Sequence, residues 1–346
     1  MRGLVKYARG PGNVAVREVP EPALSDGEVL VEIEATGICG SDLHILEDRI
    51  EIPIRVPVVM GHEFSGRIVD RGKDVSGLGV GDAVTAMPSV FICGACRFCR
   101  AGAHNLCMQR KSMGYWHHGS FAPRVSVPGR CVHRLPAGLG FRAAALAEPL
   151  ACAVHAVTEM TGVSAGDLVA IVGPGSIGLL CLQVVTAEGG RAVVLGTAVD
   201  QRRLELARRL GAEVIVNVDD GDPVARVAEL TEGYGADVVL ECSGSPSGAS
   251  LSLELVRKQG KLTQVGLFGG PISMDLGQVA VKEIRFTGSF GQRATSWRRA
   301  LQLVARRAVD TGALITHDIP IDDWRRGFDL SARSEGIKVL LDVKER

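Results

Sequence analysis

The aliphatic run Leu168-Val-Ala-Ile-Val172 leads straight into Gly173-Pro174-Gly175-Ser176-Ile177-Gly178, and the apolar segment from Ile177 to Val185 begins inside that glycine pattern. This order of strand, turn and helix constrains the chain more than any other feature. The first two glycines allow a tight turn and close backbone approach, the third lets helix pack on strand, and the free helix amides meet a pyrophosphate. A purely structural glycine-rich turn is the alternative. The position between strand and helix favours dinucleotide binding by Gly173, Pro174, Gly175, Ser176, Ile177 and Gly178.

The surroundings agree. Short aliphatic runs at 168–172, 192–195, 214–216, 237–240 and 262–265 alternate with helical patterns at 201–210 and 246–258. Alternating strand and helix predicts an α/β domain with a doubly wound parallel sheet over 153–289. Val265, Gly266, Leu267, Ser289 and Phe290 are its further candidate cofactor contacts. Phe290, like Trp116, could equally line a substrate pocket or serve in packing.

The second strand of such a domain should end in an acid that holds the ribose 2′-hydroxyl of NAD. Here it ends Leu195-Gly196-Thr197-Ala198, with Asp200, Arg202 and Arg203 beyond. A hydroxyl at Thr197 and guanidinium groups at Arg202 and Arg203 suit a 2′-phosphate, giving a mild preference for NADP within an NAD(P) reading. Arg203 could instead pack on the adenine, and both arginines could simply solvate a helix face.

The first stretch, 1–152, is β-rich, with Val29, Val31 and Ile33 alternating with Leu30, Glu32 and Glu34. Residues 290–346, with helical patterns at 294–307 and 322–330 and a strand at 337–341, are expected to complete this domain. Four cysteines stand as Cys93-x-x-Cys96-x-x-Cys99-x₇-Cys107. Four soft thiolates close a tetrahedron around one Zn²⁺ and leave no position for substrate, so that zinc is structural. An iron–sulfur cluster and a nucleic-acid zinc module are the competing readings. The first lacks a companion electron-transfer motif. The second is opposed by the balance of 39 basic and 39 acidic residues, which gives no general attraction for nucleic acid or anionic lipid and leaves small molecules as partners.

No apolar run approaches the ~18 residues of a membrane span. The segment from Met1 to Ala8 lacks a secretory signal's apolar stretch, so a cytoplasmic protein is expected. Nine cysteines, an odd number, do not suggest a disulfide framework. His117, His118 and His133 read as loop or surface residues, and His155 as a core residue.

A third constellation is dispersed: Cys39-Gly-Ser41-Asp42-Leu-His44, then Gly61-His62-Glu63, then Glu148-Pro149. Thiolate, imidazole and carboxylate are what a catalytic zinc uses when one position stays open. With these motifs the chain resembles, over essentially its whole length to the closing Ile337-Lys-Val, the zinc-containing medium-chain dehydrogenases, nearest the sorbitol and polyol branch and its relative threonine dehydrogenase. The resemblance implies a GroES-like catalytic domain beside the Rossmann domain. It implies two zincs per chain. Cys39, His62 and Glu148 would hold the catalytic one, with Glu63 coordinating transiently or acting just outside; Glu148 would bind directly or through water, and Asp42 would orient His62. Ser41 would pass the alcohol's proton toward the nicotinamide ribose and His44.

The same resemblance implies hydride transfer between a secondary alcohol and NAD(P), and a homotetramer with a dimer as the alternative. Threonine dehydrogenases tend to carry a histidine three residues before the first lobe cysteine, where this chain has Val90. That favours a polyol or sugar derivative over an amino alcohol such as threonine, although the apolar run Pro88-Ser-Val-Phe-Ile92 argues for a less polar pocket. A zinc-free quinone or enone reductase and a non-catalytic zinc-stabilised binding protein are the rival readings. Both would leave the complete ligand set idle.

Overall fold

A computed structural model of the chain describes residues 1–50 and 52–344. Two compact units divide it: Met1–Glu148 with Arg293–Ala305 and Thr311–Arg346, and Pro149–Gln292 with Arg306–Asp310. The junctions therefore fall at 148/149 and 292/293, where the sequence suggested 152/153 and 289/290. Composition gives no break here because one helix, Ala147–Val154, runs through the first junction. Arg306–Asp310 joins the second unit through Gln183, which accepts from Asp310 N at 2.7 Å and donates back to its carbonyl at 3.3 Å.

The hub of the first unit is the strand Glu28–Gly37. Val29, Val31 and Ile33 are buried along one face while Glu32 is exposed, as the alternation predicts. Towards Gly37 the strand becomes buried on both faces. It pairs antiparallel with Glu63–Arg71, from Val29 opposite Arg71 to Gly37 opposite Glu63, and also with Arg124–Pro128 and Lys338–Asp342. Glu63–Arg71 and Lys338–Asp342 thus meet at its Gly37 end, while Arg124–Pro128 pairs along the Glu28 end. A core of Met60, Phe64, Ile68, Phe121, Trp324 and Phe328 packs below, Phe328 lying edge-on to Phe121 and Trp324.

His133 is not the loop or surface residue expected. It lies in the strand Val132–Arg134 and stacks on fully buried Trp297 of the helix Ala294–Ala305, with ring centroids 5.0 Å apart and planes 4° from parallel. Burial pulls its pKa down to about 4, so the ring is neutral at pH 7.

The second unit is a six-stranded parallel sheet in the order Val214–Asn217, Arg191–Gly196, Leu168–Val172, Ala236–Glu241, Val256–Gln264, Arg285–Gly288. Leu168–Val172 is central and wholly buried, the condition under which a strand reads as a continuous aliphatic run. One helix is shorter than its pattern suggested: Pro246–Leu255 stops before Val256, which is already in a strand opposite Ala236. β-branched Val256 favours that pairing over another helical turn. Among the described residues no helix is long and apolar enough to cross a membrane.

Replacing Trp297 by alanine empties a fully buried site in the first unit. The expected loss is about 3–5 kcal/mol, read from urea denaturation by far-UV circular dichroism; a loss below about 1 kcal/mol would show that the helix does not lean on this ring.

Candidate active site

Cys39 precedes the short helix Gly40–Leu46, and Asp42 within that helix turns back so that its Oδ2 accepts from Cys39 N at 2.9 Å. This reciprocal cap fixes the cysteine. His62 and Glu63 enter from the neighbouring strand, and the ligand atoms of Cys39, His62 and Glu63 all lie within 4.8 Å of one another. Glu148 is buried in the first turn of its helix. It stands outside that trio, near enough for its charge to act on His62.

The electrostatics of the cluster call for a cation. Burial alone would lower the His62 pKa, but the Cys39 and Asp42 charges, with Glu148 behind them, raise it to about 10. Asp42 is completely buried, and its Oδ1 faces His62 Nδ1 at 3.8 Å, too far for a hydrogen bond. Among the described residues neither atom has a hydrogen-bond partner. Thiolate, imidazole and carboxylate at this spacing, with orphaned polar atoms behind them, fit a zinc ion.

Glu63 has a second attachment that the sequence reading missed. Lys338 Nζ, buried with it, donates to both carboxylate oxygens at 2.7 and 3.0 Å and to the Ile38 carbonyl at 3.0 Å. Gly37 makes the room: a Cβ there would lie 2.6 Å from Glu63 Oε2 and 3.4 Å from Lys338 Cδ. Tyr115 was missed too. It is buried, its ring centroid is 5.4 Å from that of His62, and its hydroxyl donates to Ser41 Oγ at 2.7 Å. Burial, then the Cys39 and Asp42 charges, hold its phenol pKa well above the usual value. Among the described residues Ser41 meets Tyr115 rather than His44, which is half-buried in the same helix.

The four lobe cysteines converge as their spacing predicts. Their sulfurs lie within 4.8 Å of one another, with Cys93 at 3.9 Å from Cys99 and 3.6 Å from Cys107. Tetrahedral thiolates on zinc at about 2.3 Å stand about 3.8 Å apart. Backbone amides of Cys96, Cys93 and Gln109 donate to the sulfurs of Cys93 and Cys107 at 3.3–3.4 Å, and all four residues are free of disulfides.

Comparison with known proteins agrees with this geometry. Residues 25–137 match the alcohol dehydrogenase GroES-like domain and residues 176–306 the zinc-binding dehydrogenase family. Over 99% of both chains, this one is 43% identical to a sorbitol dehydrogenase of Halalkalibacterium halodurans. The chain belongs to the zinc-binding dehydrogenase family. It is 38% identical to a D-arabitol-phosphate dehydrogenase of Enterococcus avium over 99% of this chain and 97% of that one. A crystal structure from Sinorhizobium meliloti 1021 bound to NADP superposes with a TM-score of 0.91 at 32% identity, covering 98% of each chain. The protein is an alcohol oxidoreductase that uses zinc and NAD(P).

In this zinc-binding dehydrogenase the glycine pattern closes on itself behind and opens in front. Gly173 has φ +98°, and a Cβ on it would meet the Ser243 backbone at 2.7 Å; one on Gly178 would meet the Gly173 carbonyl at 2.0 Å. A Cβ on Gly175, at the start of the helix Ser176–Ala187, would meet nothing within 4 Å. That open space before Ser176 and Ile177 fits a pyrophosphate. Val265 and Gly266 donate their amides to the Glu241 carbonyl at 2.9 and 2.8 Å. The buried Glu241 carboxylate accepts from Ser243 N, Gly244 N and Gln264 Nε2, tying this loop to the next strand. Leu267 is exposed, and Ser289 and Phe290 are half-buried. At the second strand end, Asp200 accepts from Thr197 and pairs with Arg203 at 3.3 Å, while Asp219 accepts from Ala198 N at 2.8 Å.

Lys338→Met should cost about 3–5 kcal/mol of stability, because it leaves a buried carboxylate without its cation. Adding Glu63→Gln should recover part of that loss in urea denaturation. Equal loss in both variants would show that the pair does not carry the strand end.

Proposed function

We propose that this chain oxidises a secondary alcohol of the polyol or sugar-alcohol class and reduces the matching ketone. The observation that carries the reading is the convergence of Cys39, His62 and Glu63, with Glu148 behind them, from segments far apart in sequence. The names of the sorbitol and D-arabitol-phosphate relatives support the substrate class. Cys39, His62 and Glu63, whose ligand atoms lie within 4.8 Å of one another, are the residues to hold a catalytic zinc; Glu148, which the family resemblance names as a ligand, stands behind them, and Asp42 orients His62. Cys93, Cys96, Cys99 and Cys107 hold a second, structural zinc.

A catalytic zinc supplies polarisation of the alcohol hydroxyl, and NAD(P) supplies the hydride acceptor. The chain's own residues handle position and proton. Ser41 receives the hydroxyl proton at Oγ, and His44, three residues on in the same helix, exchanges it with solvent. Gly173 to Gly178 receive the pyrophosphate, while Val265, Gly266, Leu267, Ser289 and Phe290 line the path of the nicotinamide half.

The mild preference for NADP rests on Arg202, since Arg203 is engaged by Asp200. Asp200 and Asp219 at the same strand end favour the free hydroxyls of NAD, so kinetics with both cofactors decide the point; a strong NAD preference would overturn the NADP reading. The assembly proposed is a homotetramer, with a dimer as the alternative, distinguishable by light scattering.

The expected metal content is two zincs per chain. A panel of sorbitol, xylitol, ribitol, L-threonine and 2-propanol, each with NAD and NADP, should give the highest kcat/KM on a polyol; preference for threonine would transfer the chain to the amino-alcohol dehydrogenases. Ser41→Ala should lower kcat by about 10²–10⁴ with zinc content unchanged. Full activity in that variant would remove Ser41 from the mechanism.

A further inference from the structure

We infer that Tyr115 is a positioning residue for proton transfer, acting through Ser41 by fixing which way the serine hydroxyl points. The inference rests on the proton-handling role of Ser41 proposed above and extends it to a residue that this role does not require.

The argument begins with how Tyr115 is held. It lies in the segment that crosses beside His62: Gly119 N donates to the Val59 carbonyl at 2.8 Å, Ser120 N to Gly61 at 3.1 Å, and Arg55 N to the Tyr115 carbonyl at 2.8 Å. Backbone bonds on both sides of the residue fix its Cα. The ring is 5% exposed and inclined at 45° to the His62 imidazole. A phenol so placed needs an acceptor, because a buried hydroxyl without one is destabilising. Ser41 Oγ, at 2.7 Å, is that acceptor.

The direction of this bond has a chemical consequence. A serine hydroxyl carries one proton and two lone pairs. Tyr115 is the donor, so it fills one lone pair and leaves Ser41 with one lone pair and its own O–H. That is the minimum a relay needs: the free lone pair accepts the proton of the alcohol as the substrate O–H bond breaks, while the original serine proton leaves along its O–H towards solvent. The Tyr115 O–H is neither broken nor made. A serine lacking this partner rotates freely and can direct its proton at the substrate oxygen, the wrong polarity for oxidation. Phenylalanine at 115 keeps the ring against His62 and removes only the hydroxyl.

The test uses the zinc-loaded enzyme, with whichever alcohol of the panel (sorbitol, xylitol, ribitol, L-threonine or 2-propanol) gives the highest kcat/KM. Tyr115→Phe is expected to lower kcat at least about tenfold, with KM within about twofold, an enlarged solvent isotope effect on kcat, and unchanged zinc content. Added to Ser41→Ala, it should cause no further fall in kcat. A readout independent of turnover accompanies this: Ser41→Ala strands the phenol without its acceptor and lowers Tm, and adding Tyr115→Phe raises Tm back towards the parent value.

The inference is overturned by a Tyr115→Phe enzyme with kcat within about twofold of the parent, by an additive loss in the double variant, or by loss of zinc, which would make Tyr115 part of the metal site's framework. An active Ser41→Ala enzyme would overturn the relay itself, whereas an inactive Ser41→Ala beside an active Tyr115→Phe would defeat the role of Tyr115 alone.

Discussion

A buried carboxylate must be matched by positive charge or lose its ionisation, and the first unit gathers several within one small volume. Asp42, Glu63 and Glu148 are all nearly inaccessible to solvent, and Cys39 adds a group that binds metal as an anion. Lys338 answers Glu63 directly. The rest of the negative field falls on His62, the orphaned face of Asp42 and the space between the trio. The donor set left over fits a divalent cation. The twofold strand pairing at Gly37, the absence of a side chain there and the capped start of the helix Gly40–Leu46 all serve to hold these charges together.

Much of this was readable from residue order because the signals are local. The parallel strands of the second unit show as aliphatic runs since both of their faces are covered. The glycine pattern and the four lobe cysteines are short motifs in which each position answers one requirement of geometry or ligation. Cys39, His62 and Glu63 were legible because each sits in a compact motif, C-G-S-D-x-H or G-H-E, although the motifs themselves lie apart. The sequence reading sets Glu148 with Cys39 and His62 and leaves Glu63 just outside, whereas the structure groups Glu63 with them and Glu148 stands behind, a spacing that residue order cannot show.

Tyr115 and Lys338 were not legible for the opposite reason. Tyr115 stands in Ser112-Met-Gly-Tyr-Trp116, which reads as a loop, and its meaning lies in one bond to a residue 74 positions away. Lys338 was noticed in the closing Ile337-Lys-Val without a role. The available signal was a lysine beginning a strand whose next three residues are Val339, Leu340 and Leu341, since a cation in so apolar a run implies a buried partner. His133 was misread because Gly and Pro surround it, whereas Trp297, from another segment, decides its environment. The helix at Pro246 was drawn three residues too long because its end is set by pairing with Ala236.

The attachment of Glu63 to Lys338 also bears on how the polypeptide matures. Ile38 and Glu63 emerge early in synthesis, and the lysine that bonds both is separated from Ile38 by 300 positions. Translation at roughly 5–20 residues per second opens an interval of some tens of seconds in which the early half exists without its ammonium. Until the strand Lys338–Asp342 arrives, Glu63 lacks this ammonium, and burying it as a charged group is costly. The bond that anchors Glu63 therefore depends on a residue among the last to be synthesised.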